Sequence, residues 1–256
     1  MDVHKLFSLE GRVAIVTGAS RGLGRAIAEG FASAGADVVL AARSIDLLEQ
    51  AAKDISQATG RRALPIRTDV TVRAEVENMV AQTLKEFGHL DILVNNAGMA
   101  IRKTVADFTD EEWQAVIDGN LTATMYCSRA ATPALIENGW GRIINFGSTM
   151  AATTLPGRAA YSSAKAAIVM FTKALAQELA PHNINVNCIC PGPFATSMTA
   201  PGPEAPGVAS WPIDRVPLKR TADPKELIGP ALLLASEASS YITGSVLFVD
   251  GGWTAK

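Results

Sequence analysis

The residues with the clearest chemical potential are a phenol and an ammonium in a segment that is otherwise small and apolar. Tyr161 and Lys165 lie four residues apart in GRAAYSSAKAAIVMFTKALAQELA, a spacing that puts both side chains on one face of a helix. A neighbouring positive charge favours the phenolate, so the pKa of this tyrosine is expected to be lowered. A half-exposed tyrosine beside a solvated lysine is the ordinary interpretation of such a spacing, and the rest of the chain has to decide between the two.

A glycine-rich turn near the N-terminus has the composition needed to bind a pyrophosphate. In VAIVTGASRGLGRAIAEGF a strand-like run is followed by Gly18, Gly22 and Gly24 and then by a helical pattern. Glycines let the backbone turn tightly and approach a phosphate, whose charge then faces the positive end of the following helix. The spacing T-G-x-x-x-G-x-G lacks the Gly-Lys-Ser/Thr of a Walker loop, which argues against kinase-like and ATPase chemistry.

The end of the second strand-like run indicates which dinucleotide would bind. An acidic residue at this place normally accepts hydrogen bonds from the adenosine ribose, but the run DVVLAARS closes on Ala41, Ala42 and Arg43. Asp37 stands at the opposite end of the run. Arg43, together with Arg21 in the glycine turn, can form charge-assisted hydrogen bonds to a 2′-phosphate. We therefore predict NADP(H) as the preferred cofactor, with NAD(H) as the alternative.

Strand-like and helical segments alternate along the chain, which predicts an α/β protein. The strand-like runs are nearly continuous in apolar residues, as expected for parallel strands covered by helices on both faces. Seven such runs occur: RVAIVTG, ADVVLAAR, RALPIRT, LDILVNNAG, GRIINFGS, INVNCICPG and SVLFVDGG. Helices are expected at roughly 22–34, 44–59, 71–87, 109–137, 158–180 and 223–235. The pattern predicts a Rossmann-type, doubly wound parallel sheet of seven strands in a single domain spanning residues 1–256.

Length, charge and cysteine usage narrow the class of protein. An α/β chain of 256 residues can form one domain with a substantial core. Its formal net charge of -2 argues against nucleic acid or an anionic membrane as a partner. Because the chain has no long apolar run and no signal-peptide pattern at its N-terminus, we expect a cytoplasmic protein that acts on a small molecule. The three cysteines and three scattered histidines indicate reduced thiols and do not support a metal site.

The segment 193–217 breaks the alternation of strands and helices. It holds six of the 13 prolines in the chain. It leaves the carboxyl end of the sixth strand, the edge where open α/β sheets bind ligands, and long loops there are commonly lids. We predict a substrate lid at about 193–217 with Trp211 near the pocket, and a solvent-exposed insertion is the alternative.

Taken together, the motifs resemble those of the short-chain dehydrogenase/reductase family over essentially the whole chain. The matching positions are Thr17-Gly18-x-x-x-Gly22-x-Gly24, Asp69-Val70, Asn95-Asn96-Ala97-Gly98, Asn120, Ser148, Tyr161-x-x-x-Lys165 and Pro191-Gly192. Ser148 lies thirteen residues before Tyr161, as the catalytic serine of the family does. Gly147 and Ala151 depart from the family pattern, and we expect both differences to affect the substrate side rather than the reacting groups.

The resemblance implies an enzyme that transfers hydride between a nicotinamide cofactor and a ketone or secondary alcohol. Reduction of a ketone builds negative charge on oxygen, which calls for a proton donor and a second hydrogen bond to that oxygen. By the resemblance, Tyr161 supplies the proton and Ser148 the second bond. Lys165 binds the nicotinamide ribose, and Asn120 holds a water that links Lys165 to solvent.

The same resemblance assigns residues to the successive parts of the cofactor. The sites lie in the glycine turn, at the ends of the following strands and on the catalytic helix. The expected contacts are Gly18, Ser20, Arg21, Gly22, Leu23, Gly24 and Arg43, then Asp69 and Val70 at the adenine, Asn96, Ala97 and Gly98 at the nicotinamide half, Tyr161 and Lys165, and finally Pro191, Gly192, Phe194 and Thr196.

The substrate is inferred from the likeness to particular branches of the family. The opening LFSLEGRVAIVTG, Arg102 and the ending VLFVDGGWTA are most similar to gluconate 5-dehydrogenase-like members. This implies a keto-sugar acid or polyol as substrate, with Arg102 bound to a carboxylate and with Ser148, Met150 and Trp211 on the substrate side. A solvated arginine beside Lys103 is the alternative for Arg102. The runner-up function is a 3-oxoacyl-acyl-carrier-protein reductase or a general carbonyl reductase, whereas a regulator without turnover is disfavoured because the catalytic residue types are all present.

The helix that carries Tyr161 also predicts an oligomer. It is apolar around more of its circumference than one sheet face can cover, and such helices bury a second face. Ala160, Ala167, Phe171 and Leu175 are spaced to form a stripe for this purpose. Because members of the family commonly pair this helix with symmetry mates, we predict a homotetramer, with a dimer as the alternative.

Overall fold

A seven-stranded parallel sheet forms the centre of the molecule. The computed structural model describes residues 2–196 and 212–255. The strands are β1 (Val13–Thr17), β2 (Asp37–Ala42), β3 (Ala63–Arg67), β4 (Ile92–Asn95), β5 (Gly141–Phe146), β6 (Ile184–Pro191) and β7 (Val246–Val249). They are hydrogen-bonded in the order β3-β2-β1-β4-β5-β6-β7, and each neighbouring pair is parallel. The predicted doubly wound sheet in a single domain is confirmed.

Helices cover both faces of this sheet. They are α1 (Val3–Leu6), α2 (Gly22–Ser33), α3 (Ile45–Thr59), α4 (Arg73–Phe87), α5 (Asp110–Ile117), α6 (Ala123–Asn138), α7 (Ala159–Leu179) and α8 (Ile228–Ala235). Apolar residues of α2, α3 and α8 form a core on one face, and those of α4, α6 and α7 form a core on the other. Ala14 and Val16 of β1 belong to the first core, while Val13 and Ile15 belong to the second. The central strands are mostly apolar because successive side chains point to opposite faces that helices bury, whereas the edge strands β3 and β7 are partly exposed.

The single helix expected over 109–137 is interrupted. Thr109 caps α5 by accepting a hydrogen bond from the Glu112 amide at 3.2 Å, but α5 ends at Ile117. The five residues Asp118–Thr122 then form a π-helical turn before α6 begins. Turns of this kind are frequent at functional sites, and this one contains the fully buried Asn120. The apolar periodicity of a sequence does not distinguish α-helical from π-helical hydrogen bonding, so the interruption is not visible in it.

The order of the strands reverses between β1 and β4, which opens a crevice at their carboxyl ends. Hydrogen bonds tie the two loops that leave these strands. The Thr17 hydroxyl oxygen accepts from the amides of Asn96 and Ala97 at 3.0 Å each. The Asn96 side chain in turn donates to the Thr17 carbonyl oxygen at 2.8 Å. The floor of the crevice is therefore held by contacts between the two strand ends.

The apolar stripe predicted on α7 is not an exposed surface. Ala160 is fully buried, Leu175 belongs to the second core and Phe171 packs against that core. The π-helical turn and α5 pack against α7 and add to its burial within the subunit. Among the residues of α7, Met170 is a large apolar side chain that solvent reaches, with 64% of its surface exposed. Ala167 and Phe171 are half-buried, so contact of this stripe with a symmetry mate stays a prediction. The sequence of α7 alone does not show that neighbours in the same subunit cover Ala160 and Leu175.

Most of the predicted lid lies outside the described residues, including Trp211 and the rest of 197–211. At its start, Phe194 is buried and pairs with Ala222 in an isolated bridge. At its end, Ile213–Arg215 forms a 3-10 turn.

The three cysteines are buried free thiols, as predicted: Cys127, Cys188 and Cys190. In the described ranges, no helix combines the length and apolar character that crossing a membrane requires.

Candidate active site

The glycine turn between β1 and α2 has the geometry that its sequence predicts. Gly18 has a φ of 67°, in the left-handed region that favours glycine. Gly24 is needed for its small size, because a Cβ there would lie 2.5 Å from the Gly18 carbonyl oxygen and 2.5 Å from Nδ2 of Asn96. Since α2 begins at Gly22, its free amides and positive end face the crevice. The residues present therefore fit a bound pyrophosphate.

A cavity of about 880 Å³ runs along the carboxyl edge of the sheet. It brings together nearly all of the residues predicted for cofactor, catalysis and substrate: Gly18, Ser20, Arg21, Gly22, Leu23, Arg43, Asp69, Val70, Asn96, Ala97, Gly98, Arg102, Asn120, Ser148, Met150, Tyr161, Lys165, Pro191, Gly192, Phe194 and Thr196. Gly24 is not part of the lining, since it packs beneath the turn against Gly18 and Asn96. Trp211 is outside the described residues.

One end of the cavity carries the residues expected at the adenosine. Burial opposes ionisation of Asp69, but hydrogen bonds from Thr71 and the charges of Arg43 and Arg67 lower the pKa of this carboxyl. The hydroxyl and amide of Thr71 donate at 2.7 and 3.0 Å. Arg43 and Arg21 are both exposed and both line the cavity. In the described part of the chain neither of them forms an ion pair, so both guanidinium groups can bind a phosphate of a ligand.

Ser148 and Tyr161 meet although they belong to different elements. Ser148 follows β5 and begins the 3-10 turn Thr149–Ala151, where its Oγ accepts from the Met150 amide at 3.1 Å. Tyr161 lies in the first turn of α7, and its hydroxyl is hydrogen-bonded to the Ser148 side chain. Both residues line the same cavity, so one substrate oxygen can accept hydrogen bonds from both hydroxyls.

The pKa of Tyr161 is raised, so the direction expected from the neighbouring lysine is wrong. Burial raises the pKa of the phenol most strongly, the hydrogen bond with Ser148 lowers it, the Cys190 thiol raises it and the charge of Arg158 lowers it. The Lys165 Nζ lies 5.6 Å from the centroid of the Tyr161 ring. The low dielectric around the phenol outweighs the nearby cations.

Lys165 is a buried ammonium, with 4% of its surface exposed. Its Nζ donates to the Phe146 carbonyl oxygen at 2.8 Å. Burial lowers the pKa of Lys165 to about 8, while Cys188 and Cys190 act in the opposite direction. The Sγ atoms of these two cysteines lie 3.9 Å apart, and a Cβ on Gly147 would lie 2.5 Å from the Cys190 Sγ. A side chain at this position would thus point at the thiols of β6, while Gly147 itself lines the cavity, and its effect on the substrate side stays a prediction.

The π-helical turn directs Asn120 toward Lys165. Nδ2 of Asn120 donates to the carbonyl oxygens of Met99 at 2.8 Å and Val116 at 2.7 Å, which fixes the orientation of the amide. Its Oδ1 is buried and accepts no hydrogen bond from the described residues. A Cβ on Gly98 would lie 2.7 Å from this Oδ1 and 3.4 Å from the Lys165 Nζ. Both polar atoms therefore face the same point beside Gly98.

Two arginines line the cavity near the reacting hydroxyls. Arg102, which the sequence indicated, leaves the loop after β4 and is half-buried. Arg158, which sequence reasoning missed, comes directly before α7, is 4% exposed and lines the same cavity. Its signal in the sequence is a cation three residues before Tyr161, which is ambiguous because an arginine at the start of a helix is ordinarily solvated.

Comparison with known proteins is consistent with this geometry. Residues 18–254 match the family model described as enoyl-(acyl carrier protein) reductase. The chain is 38% identical over 253 residues to 2-dehydro-3-deoxy-D-gluconate 5-dehydrogenase of Escherichia coli, covering 98% of each chain. It is 37% identical over 256 residues to gluconate 5-dehydrogenase of Gluconobacter oxydans, covering 100% of each. With 3-oxoacyl-acyl-carrier-protein reductase of Haemophilus influenzae it shares 38% identity over 246 residues, covering 95% of this chain and 98% of the relative.

Two solved structures of related dehydrogenases are similar to this chain over its whole length. A short-chain type dehydrogenase/reductase from Mycobacterium marinum superposes with a TM-score of 0.94 at 41% identity, covering 100% of both chains. A gluconate 5-dehydrogenase from Burkholderia cenocepacia in complex with NADP and tartrate gives a TM-score of 0.93 at 33% identity, again covering 100% of both chains.

Proposed function

Because the chain belongs to the short-chain dehydrogenase/reductase family, we propose that it is an NADP(H)-dependent oxidoreductase that interconverts the ketone and the secondary alcohol of a keto-sugar acid. The observation that carries this proposal is the meeting of Ser148, Tyr161 and Lys165 in the cavity that the glycine turn also lines. Arg102 and Arg158 line that cavity as well, which supplies positive charge for an anionic substrate.

The residues divide the chemistry of ketone reduction among them. NADPH, when bound, supplies the hydride to the carbonyl carbon. Tyr161 gives its proton to the oxygen on which negative charge develops, and Ser148 donates a second hydrogen bond to that oxygen. The raised pKa of Tyr161 keeps the phenol protonated at neutral pH, which suits a proton donor. Lys165, buried beneath this pair, orients the nicotinamide ribose.

Asn120 provides a way to return the proton to Tyr161 after each turnover. Its buried Oδ1 faces the same point as the Lys165 Nζ. A water held between these two groups connects Lys165 with solvent, and Lys165 passes the proton on toward the phenol. The pKa of about 8 for Lys165 is close to the pH at which such an exchange has to occur.

Arg43 and Arg21 support NADP(H) over NAD(H). Both line the cavity, and the charge of Arg43 acts on Asp69, which stands at the expected adenine position. A 2′-phosphate bound there would be held by charge-assisted hydrogen bonds. The Burkholderia enzyme, which shares the fold at a TM-score of 0.93, was solved with NADP.

The charges in the cavity favour a sugar acid over a neutral sugar. Arg102, Arg158 and Lys165 line its reaction end, whereas Asp69 is the acidic residue among the described lining residues and lies at the adenosine end. The Gluconobacter relative is a gluconate 5-dehydrogenase, and the Burkholderia structure holds tartrate, a dicarboxylate.

A 3-oxoacyl-acyl-carrier-protein reductase is the second candidate. The Haemophilus relative with that activity is as similar in sequence, at 38% identity, as the Escherichia coli sugar-acid dehydrogenase. Met99 and Met150 line the cavity and would contact an acyl chain.

Arg102→Ala separates these two functions. If Arg102 holds the substrate carboxylate, its loss removes a charged hydrogen bond, and the KM for 5-keto-D-gluconate should rise about 10-fold or more. The KM for a neutral ketose of similar size should stay within about 2-fold, since it has no carboxylate to lose. Steady-state NADPH oxidation measures both values.

Lys103→Ala is the matched control for this experiment. Lys103 is the next residue and forms an ion pair with Glu112 at 2.5 Å, so its charge is directed away from the substrate. The control should leave both KM values unchanged. Equal effects of Arg102→Ala on the two substrates would eliminate the carboxylate role and favour a general carbonyl or acyl reductase.

Assembly and location are part of the proposal. The exposed Met170 on α7 and the exposed Tyr241 and Phe248 near β7 support burial of these surfaces in a homotetramer. Light scattering at micromolar concentration should give four times the subunit mass of 26.9 kDa, whereas a value near the subunit mass would rule the assembly out.

The three free thiols support a cytoplasmic location, where thiols stay reduced.

A further inference from the structure

Arg158 is a buried, permanent positive charge in the reaction cavity. It stands at the N-cap of α7, three residues before Tyr161, and has 4% of its surface exposed. It lines the cavity together with Ser148 and Met150. A guanidinium keeps its charge at any pH relevant to a protein, and taking such a charge out of water is costly. Its burial in the cavity that Tyr161 also lines therefore calls for an explanation.

Four groups that differ in kind act on Tyr161. The Ser148 side chain, at the end of β5, is hydrogen-bonded to its hydroxyl, and the Lys165 Nζ on α7 lies 5.6 Å from its ring centroid. Cys190 on β6 and Arg158 at the N-cap of α7 act on it through their charge. The charge of Arg158 acts on the pKa of Tyr161 and lowers it, against the effect of burial. Lys165 loses its charge at about pH 8, whereas Arg158 keeps its own. At alkaline pH, Arg158 is the member of this group that stays positively charged.

We propose that Arg158 is a positioning residue that acts through Tyr161, stabilising the phenolate form that the enzyme needs when it oxidises the alcohol. This inference deepens the proposed function and rests on it. In oxidation, the alcohol gives its hydroxyl proton to the Tyr161 oxygen and its hydride to NADP⁺, so Tyr161 has to begin as phenolate. In reduction the carbonyl carbon takes the hydride and the phenol returns the proton, so Tyr161 has to begin protonated. Arg158 accordingly favours the oxidative direction, and burial of the phenol favours the reductive one.

The test measures ionisation of Tyr161 directly, without substrate. Ultraviolet difference spectra recorded against pH report the phenolates of the three tyrosines, and subtraction of the Tyr161→Phe spectrum isolates Tyr161. Arg158→Gln should raise the midpoint of Tyr161 by about one pH unit, which is a 10-fold loss of phenolate below the midpoint. Arg158→Lys should resemble the neutral variants at the midpoint, because a lysine buried at this site loses its charge below the pH at which the phenol ionises, as burial causes for Lys165. Arg158→Met serves as a second neutral variant if the glutamine variant does not fold.

Arg129→Gln is the matched control. The Arg129 guanidinium lies 5.2 Å from the ring centroid of Tyr126, so this variant removes a cation beside a different tyrosine. It should leave the Tyr161 midpoint unchanged.

The kinetic consequence distinguishes positioning from simple support of the fold. In Arg158→Gln, the pH profile of kcat for alcohol oxidation should move upward together with the Tyr161 midpoint. The kcat for reduction of a neutral ketose at pH 7, which has no carboxylate to lose, should fall less than kcat for oxidation does. NADPH binding, followed by fluorescence, should be unchanged. An unaltered Tyr161 midpoint in the neutral variants, with rates lowered equally at every pH, would overturn the inference. A shifted midpoint in an enzyme that turns over no keto-sugar acid would instead count against the proposed substrate and leave the role of Arg158 standing.

Discussion

Replacement of Tyr161 by phenylalanine should lower kcat for ketone reduction by about 10²-fold to 10⁴-fold. Phenylalanine preserves the ring that is half-buried at the start of α7 and removes the hydroxyl that is hydrogen-bonded to Ser148. The developing negative charge on the substrate oxygen then has no proton donor, and Ser148 alone provides one hydrogen bond to it. Single-turnover oxidation of NADPH measures the loss in the chemical step.

NADPH binding should survive this substitution. The glycine turn and Arg43 are remote from the hydroxyl that is lost, so the dissociation constant obtained by fluorescence titration should stay within about 2-fold of the wild-type value. Tyr126→Phe is the control, because Tyr126 packs against the second core and is not part of the cavity lining, so its variant should be as active as the wild type. Near-normal turnover in Tyr161→Phe would assign the acid to another residue.

Replacement of Arg43 by aspartate should weaken NADPH binding by about 10-fold to 100-fold through loss of a charged hydrogen bond. The new carboxylate would also repel the 2′-phosphate and accept hydrogen bonds from an unphosphorylated ribose, so NADH binding should improve or stay unchanged. Fluorescence titration of both cofactors in the absence of substrate gives the two dissociation constants. Because catalysis is not involved, the result is independent of the substrate.

Arg67→Asp provides the same change of charge at a neighbouring strand end. Arg67 ends β3 and pairs with Glu75 at 3.2 Å, and it is not part of the cavity lining. If Arg43 binds the phosphate directly, Arg67→Asp should change the affinity for NADPH by less than about 3-fold. If the wild-type protein bound NADH more tightly than NADPH, the prediction that Arg43 at the end of β2 favours NADP(H) would be wrong.

Much of the fold follows from local patterns in the chain. The central strands are buried on both faces and the edge strands β3 and β7 only in part, yet apolar runs marked all seven strands. The glycines of the first turn marked where a phosphate fits. Parallel strands carry their loops at one edge of the sheet, so Arg102 after the fourth strand was expected close to the site, whereas Ser148 and Asn120 were assigned to it by the resemblance to the family. These inferences depend on backbone periodicity and chain order, which a sequence contains in full.

Properties that depend on several elements at once could not be predicted from these local patterns. The helical pattern over 109–137 contains no sign of the π-helical turn that directs Asn120 toward Lys165, because its apolar spacing suits both kinds of helix. The burial of Ala160 and Leu175 on α7, and the packing of α5 and the π-helical turn against that helix, were not visible in the sequence of α7 either.

The electrostatics of the site also depend partly on the sequence and partly on the tertiary structure. The sequence by itself placed Lys165 one helical turn from Tyr161 and so determined that a cation accompanies the phenol. Whether the pKa of that phenol rises or falls depends on burial, on Ser148 from β5, on Cys190 from β6 and on Arg158 before α7. The sheet and the packing of α7 bring those groups together. The free-energy cost of burying a charged phenolate depends on the polar and charged groups around it. The direction of the shift was therefore a property of the folded molecule, whereas the order and spacing of the motifs along the whole sequence were enough to identify Tyr161 and Lys165 as the reacting pair.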